Sequence, residues 1–182
     1  MFDPFTYMKD KDILVIGNAV TDKQIDYTPF NCIVRLNLGI KTKPCDVWIN
    51  NLVNKGHVLL GEVPVFKNVI RLNAEKNGKR LIRMPQEIKP YAWLWNTQEF
   101  DYMCRELGYF RPTTGLISIY WILNNIKYKS LTITGYDFFE TPNKYTMEKH
   151  MSSGTYVYPT HDISKDKYWI MKWHEEGKYA II

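Results

Sequence analysis

One of the four histidines in this chain lies where it could act on a substrate. His161 is followed by Asp162, and the pattern beyond them predicts a helix that begins near Ser164. Imidazole takes up and releases a proton near neutral pH, so His161 can act as a general base if a substrate hydroxyl lies within hydrogen-bonding reach. The competing interpretation is a structural histidine, and the residues alone leave both open.

Two glycine-containing segments have the features of ligand sites. Gly17 and Asn18 follow an apolar run, where a small residue lets a ligand approach the backbone and an amide can bind a ribose, a base or a phosphate. Thr113, Thr114 and Gly115 combine two hydroxyls with backbone N–H groups at a predicted helix start, which suits a phosphate or a carboxylate. A plain turn and a plain helix cap remain open as alternatives. Neither segment has the GxGxxG or GxxxxGK[ST] spacing, so a dinucleotide or P-loop site is not indicated.

The elements that must position these residues form an α/β pattern. Short apolar runs predict strands over 13–16, 32–36, 46–49, 69–72 and 131–134. Helical spacing predicts a helix capped by Asn96 and ended by Gly108, a second capped by Thr114, and the one near Ser164. We therefore expect a single Rossmann-like domain over 1–182, with a mostly parallel central sheet and helices on both faces.

Polar residues gather where the predicted strands end. Asn18, Asn37, Gly135 and Asp137 all follow strands, and ligands of open α/β sheets bind beyond the carboxyl ends of the strands. Asp137 can accept hydrogen bonds from ribose hydroxyls or serve as an ordinary turn residue. Asn is also a common turn residue, so each position by itself carries little weight.

Two segments without periodicity, 75–95 and 141–160, are predicted to be loops on the acceptor side of the site. The second contains His150 and Tyr156, which we expect to contact the acceptor or a phosphate.

The charge of the chain, +5 with a pI near 9.0, favours phosphate-bearing or acidic partners only mildly. The basic residues are scattered apart from one group at Lys76, Lys79, Arg80 and Arg83. A solvated loop is the favoured interpretation of that group, because a dedicated DNA-binding protein shows a denser stripe.

The cysteines and the hydrophobicity profile indicate the compartment. Cys32, Cys45 and Cys104 form no CxxC pair, which predicts reduced thiols and no zinc site. No stretch approaches the roughly 18 apolar residues needed to span a bilayer, and the N-terminus has no secretory pattern. We expect a cytoplasmic protein with no membrane partner.

Taken in order, the motifs resemble those of the sialyltransferases, the group classed as glycosyltransferase family 29. The long motif of that family is similar to the segment from Leu14 to Asn18, with Phe30 and the segment 34–37 after it. The short motif resembles 112–116 running on to 134–137. The terminal motif, a histidine with an acidic residue five positions later, is similar to His161 and Asp166, although the family usually has Glu at the second place.

This resemblance implies a CMP-linked sugar donor and metal-independent, inverting transfer without a further cofactor. By position, Asn18 and Asn37 would hold the nucleotide and its phosphate, and Gly135 would pack under the cytidine. Thr113, Thr114 and Gly115 would contact the phosphate or carboxylate of the donor. His161 would be the base that removes the acceptor proton. The cysteines that link the two large motifs in animal members are not matched, so the chain resembles a small bacterial or viral member.

Three functions are consistent with these residues. The first is transfer of a sugar, with CMP-sialic acid the leading donor, to a hydroxyl of a glycan or another acceptor. The second keeps the mechanism and takes a hydroxymethylated DNA base as the acceptor, which the basic group could help to hold through phosphate contacts. The third is a non-catalytic module that retains the nucleotide pocket.

Overall fold

The computed structural model describes residues 2–19, 24–36, 44–50, 69–71, 92–94, 97–109, 112–138 and 161–182. The strands in these ranges are β1 (Asp12–Ile16), β2 (Cys32–Leu36), β3 (Val47–Asn50), β4 (Val69–Arg71), β5 (Ala92–Leu94), β6 (Ser130–Thr134) and β7 (Ala180–Ile181). The helices are α1 (Pro4–Tyr7), α2 (Thr97–Leu107), α3 (Thr114–Asn125) and α4 (Ile163–Glu175). No helix in the described part of the chain is long and apolar enough to cross a membrane.

The strands form one sheet in the order β5-β4-β3-β2-β1-β6-β7, and every pairing is parallel. The order runs outward from β1 in both directions, because β2 pairs on one side of β1 and β6 on the other. This reversal is the topological switch point of a doubly wound sheet, where a crevice opens beyond the carboxyl ends of the strands. The predicted Rossmann-like α/β fold is confirmed.

Strand β1 is apolar on both faces. Ile13 and Val15 belong to the large core cluster, which also contains the apolar residues of α2, α3 and α4. Leu14 and Ile16 face the opposite way into a smaller cluster, which is covered in part by residues 25–30. Burial on both sides explains why β1 is a continuous apolar run and not an alternating one.

Helix α3 is the most deeply buried helix of the described chain. Its residues 116–122 are all buried, and Trp121 is fully enclosed. Trp121 packs against Trp93 and Phe5, with ring centroids 5.1 and 6.1 Å away, so α1 and β5 meet over the middle of α3. A helix buried all round is held in place by the core, so its N-terminus has a fixed position relative to the sheet.

The predicted elements agree with the observed ones over most of the described chain. The strand predictions match β1, β2, β3, β4 and β6 within a residue, and α2 ends before Gly108, which adopts a positive φ of 74°. Residues 92–94 belong to strand β5 and not to the predicted loop, which is a correction to that part of the 75–95 assignment. The short elements α1 and β7 were not predicted.

Candidate functional site

Two glycines bring the ends of β1 and β6 into direct backbone contact. The N–H of Gly17 donates to the carbonyl of Thr134 at 2.8 Å, and the N–H of Ala19 donates to the carbonyl of Gly135 at 3.1 Å. A Cβ atom on residue 17 would lie 2.2 Å from the carbonyl oxygen of Gly135, which no side chain can tolerate. Gly135 adopts a φ of 71°, a conformation that favours glycine. These contacts place both predicted glycines at the switch point.

Asn18 follows at the same edge with an unused hydrogen-bonding group. Its side-chain oxygen is buried and has no hydrogen-bond partner in the described part of the chain. Buried polar atoms in native proteins almost always have a partner. The Asn18 oxygen is therefore available to accept a hydrogen bond at the crevice.

The N-terminus of α3 lies beside this crevice. A Cβ atom on Gly115 would lie 2.7 Å from Cε1 of Tyr136, and one on Gly17 would lie 3.2 Å from Cδ2 of the same ring. The Tyr136 ring thus packs against both glycines and lies between the predicted anion site and the end of β1. The arrangement brings the segments that begin at residues 17, 113 and 135 together, as the sequence predicted.

The helix cap is Thr113 and not Thr114, which corrects the prediction by one residue. Thr113 has extended backbone angles, and its hydroxyl oxygen accepts from the N–H of Leu116 at 3.3 Å. Thr114 is the first residue of the helix. Because the Thr113 hydroxyl already serves the helix, it is less available to a ligand than the sequence suggested.

Asp166, in the first turn of α4, contacts Thr113. Its Oδ2 atom accepts from the backbone N–H of Thr113 at 3.2 Å and also from the Thr113 hydroxyl in a very short hydrogen bond. The residue is only 3% exposed, and Oδ1 is buried without a partner in the described ranges. Burial raises the pKa of Asp166 to about 7, and the hydrogen bond from the Thr113 backbone opposes part of that rise.

His161 lies two residues before the start of α4 and is half-buried. Asp162 is the N-cap of α4, because its Oδ1 atom accepts from the backbone N–H of Lys165 at 3.2 Å. The hydroxyl of Ser164 donates to the same oxygen at 2.6 Å. His161 therefore directly precedes the N-cap of α4, and the first turn of that helix contacts the cap of α3.

A buried cation lies on the neighbouring strand. Arg35 in β2 pairs with Ile16, the last residue of β1, and is 3% exposed. Its guanidinium donates to the carbonyl of Pro44 at 2.8 Å and to the hydroxyl of Tyr27 at 3.2 Å. These two acceptors give the buried charge polar partners within the protein.

Several predicted residues lie outside the described residues. They are Asn37, His150, Tyr156, the basic group of residues 76, 79, 80 and 83, and the predicted loop 141–160. Asp137 is described and half-buried, directly after Tyr136. Among the described residues, no group of three or more His, Cys, Asp or Glu side chains is arranged to hold a metal ion.

Tyr136 and Asp166 were not predicted to be site residues, although both lie in segments that resemble the family motifs. For Asp166 a signal existed, because it stands four residues before Ile170 and seven before Trp173, which are the buried residues of α4. An acidic residue on the apolar face of a helix is rarely left without a partner.

The strand order, the switch point and the glycine contacts define the Rossmann-like α/β class. No family model matches the sequence, and no curated protein matches it either. Among the solved structures that share the fold are three complexes of sialyltransferases. A variant of the sialyltransferase CST-II in complex with CMP is 17% identical, with a TM-score of 0.59, over 94% of this chain and 80% of that one.

The other two are structures of the sialyltransferase CstII from Campylobacter jejuni. The complex with cytidine-5'-monophosphate is 16% identical with a TM-score of 0.58, over 95% of this chain and 79% of the other. The complex with the substrate analogue CMP-3FNeuAc is 15% identical with a TM-score of 0.60, over 94% and 80%. Likeness at this level of identity establishes a common fold.

Proposed function

We propose that this protein is a glycosyltransferase of family 29 that moves a sugar from a CMP-linked donor to an acceptor hydroxyl, with sialic acid the leading sugar. The observation that carries the proposal is the meeting of the predicted motifs at the switch point of the sheet. Gly17 and Gly115 lie against the Tyr136 ring, Gly135 contacts Gly17, and Thr113 is bonded to the helix that follows His161. The fold shared with CMP-bound sialyltransferases supports the same function.

The donor site follows from the groups at this edge. The unpartnered oxygen of Asn18 can accept from a donor hydroxyl or an amino group of the base. The close approach of Gly17 and Gly135 holds the ends of β1 and β6 against each other at this edge. The first turn of α3, with the Thr114 hydroxyl and the positive end of the helix dipole, suits the donor phosphate or carboxylate.

The chemistry requires one proton transfer and one bond exchange. His161 takes the proton of the acceptor hydroxyl, the hydroxyl oxygen forms a bond to the anomeric carbon, and the bond from that carbon to the phosphate oxygen breaks with inversion. CMP leaves with the bonding electrons. Positioned N–H and hydroxyl donors at the start of α3 stabilise the charge on the leaving phosphate without a metal ion. The raised pKa of Asp166 limits repulsion between its carboxyl group and that phosphate.

Calorimetric titration and a transfer assay test the proposal. CMP should bind and raise the melting temperature, whereas UMP and GMP should do so less, because binding to the folded state stabilises it. His161→Ala should leave the Kd for CMP within about threefold and lower transfer by about 10²- to 10⁴-fold. Equal transfer rates in the two proteins would reject His161 as the base.

The donor site has its own test. Asn18→Ala should weaken CMP binding by about tenfold, the usual cost of one lost hydrogen bond to a well-held group. Asn124→Ala is the control, since Asn124 is an exposed asparagine on α3 whose amide donates to the carbonyl of Tyr120. A preference for UDP- or GDP-sugars in a thermal-shift screen would overturn the CMP assignment.

A further inference from the structure

The starts of α3 and α4 are joined through one buried carboxylate. Oδ2 of Asp166 accepts from both the backbone N–H and the hydroxyl of Thr113, and the same hydroxyl accepts from the N–H of Leu116. The cap of α3 and the first turn of α4 thus share one continuous chain of hydrogen bonds. Since Asp166 is 3% exposed, water does not compete for these bonds.

Two further bonds fix α4 against the end of α2. The ammonium of Lys165 donates to the carbonyl of Gly108 at 3.2 Å, and the indole N–H of Trp169 donates to the carbonyl of Leu107 at 3.1 Å. These carbonyls lie at the C-terminal end of α2, where orphan acceptors need partners. The first two turns of α4 are therefore held on one side by the end of α2 and on the other by the cap of α3.

The position of His161 depends on this junction. The N–H of Asp166 donates to the carbonyl of Asp162 at 3.1 Å, and the carboxylate of Asp162 caps the helix. His161 directly precedes that cap. A displacement of the first turn of α4 would therefore carry the histidine with it.

We propose that Asp166 is a positioning residue for the transfer reaction, because its carboxylate fixes the segment that carries His161 relative to the start of α3. This inference rests on the proposed function. It gives a role to the Asp that stands where the resembling family has Glu. It also explains why a carboxylate is buried with one oxygen bonded twice to Thr113.

The test is a double-mutant cycle on His161 and Asp166. Asp166→Ala should lower kcat by about 10²-fold, the cost of a misplacement of about 1 Å, while the Kd for CMP changes by less than about threefold. In the His161→Ala background the same substitution should lower kcat by less than about threefold more, because Asp166 acts through His161. Additive losses would overturn the inference.

Two further variants separate positioning from folding. Asp166→Asn keeps an oxygen that can accept from both donors of Thr113, so it should restore kcat to within about fivefold of the wild type. Thr113→Ser keeps the bridging hydroxyl and should behave like the wild type, whereas Thr113→Val should lower kcat. A purely structural role would lower the folded fraction and leave kcat per folded molecule unchanged, and that result would also refute the proposal.

The outcome distinguishes this inference from the proposed function. If the wild-type protein neither binds CMP nor transfers a sugar, the proposed function fails, and the positioning role fails with it. If the wild type is active and the cycle is additive, the Asp166 assignment alone fails.

Discussion

The pH dependence of stability gives the most direct test of the buried carboxyl group. The pKa of Asp166 rises from its ordinary value of 3.8 to about 7 in the folded protein, mainly because of burial. The folded state therefore keeps a proton that the unfolded state releases above about pH 4. The contribution of Asp166 to the free energy of unfolding therefore falls as the pH rises from about 4 to about 7, and it is constant above that.

The size of the effect can be worked out over an accessible range. Between pH 5 and the folded pKa near 7, the loss is about 1.4 kcal/mol per pH unit, or about 3 kcal/mol in total. This value is an upper limit, because the Thr113 hydroxyl also donates to Oδ2 and favours the carboxylate. A hydrogen bond to a charged group contributes about 2 kcal/mol net, and subtracting it from the upper limit leaves an expected loss of at least about 1 kcal/mol.

The assay compares the wild type with Asp166→Asn by urea unfolding from pH 5 to pH 8, followed by tryptophan fluorescence. The difference between the two proteins isolates Asp166, since Lys165, Asp162 and the other titrating groups near it are the same in both. The free energy of unfolding of the wild type should fall relative to that of the variant as the pH rises. A difference that stays flat, or that changes in the opposite direction, would refute the assignment of a raised pKa.

Asp12 is the matched control, because its shift has the opposite sign. Its carboxylate accepts from the Ser130 hydroxyl at 2.7 Å and from the Lys129 ammonium at 3.0 Å, and these bonds lower its pKa. The stability that Asp12 contributes is present above its ordinary value and is lost only as the pH falls through its lowered pKa. The difference between the wild type and Asp12→Asn should therefore stay constant from pH 5 to pH 8.

Two other predictions concern packing. Gly17→Ala should lower the free energy of unfolding by about 3 kcal/mol, since its Cβ would meet a backbone oxygen at 2.2 Å, and it should abolish CMP binding. The control is Gly177→Ala, because a Cβ on Gly177 would meet open space and the backbone has a φ of 72°. This substitution should lower the free energy of unfolding by about 1 kcal/mol and leave CMP binding intact. Equal losses of unfolding free energy for the two variants in urea would contradict this prediction. Burial raises the pKa of Cys32, which is fully buried, to about 12. A disulfide reagent at pH 8 should therefore label Cys32 slowly in the native protein and fully after unfolding, and rapid native labelling of Cys32 would show its burial to be wrong.

The sequence predicted the centre of the sheet well because its strands are buried on both faces. The runs at β1 and β2 contain one charged residue each, and three of the five residues of β6 are β-branched, so no helix pattern competes with them. β7 has only two residues, which is too few for a pattern to show, and β5 follows Pro90 in a stretch that lacks periodicity. Parallel strands end at a common edge, and for that reason the meeting of Gly17 with Gly135 followed from the fold class.

The rest of the site depends on contacts between distant segments. Both Thr113 and Thr114 have a side chain that can cap a helix, and the choice between them rests on the partner that Asp166 supplies from 53 residues away. The burial of Asp166 and of the Tyr136 ring likewise results from how α3 and α4 pack. No local pattern encodes those contacts.

The parallel pairing of β1 with β6 also has a consequence for folding. Asp12 pairs with Ser130 and Ile16 with Thr134, so β1, an interior strand of the sheet, lacks one neighbour until the ribosome has added 118 residues after Asp12. Until then, one edge of β1 presents unpaired N–H and C=O groups and the apolar side chains of Ile13 and Val15. Such long-range pairing slows folding and exposes the nascent chain to aggregation. Shorter fragments that end before Ser130 should therefore precipitate, and expression at low temperature or with a chaperone should raise the yield of the whole chain.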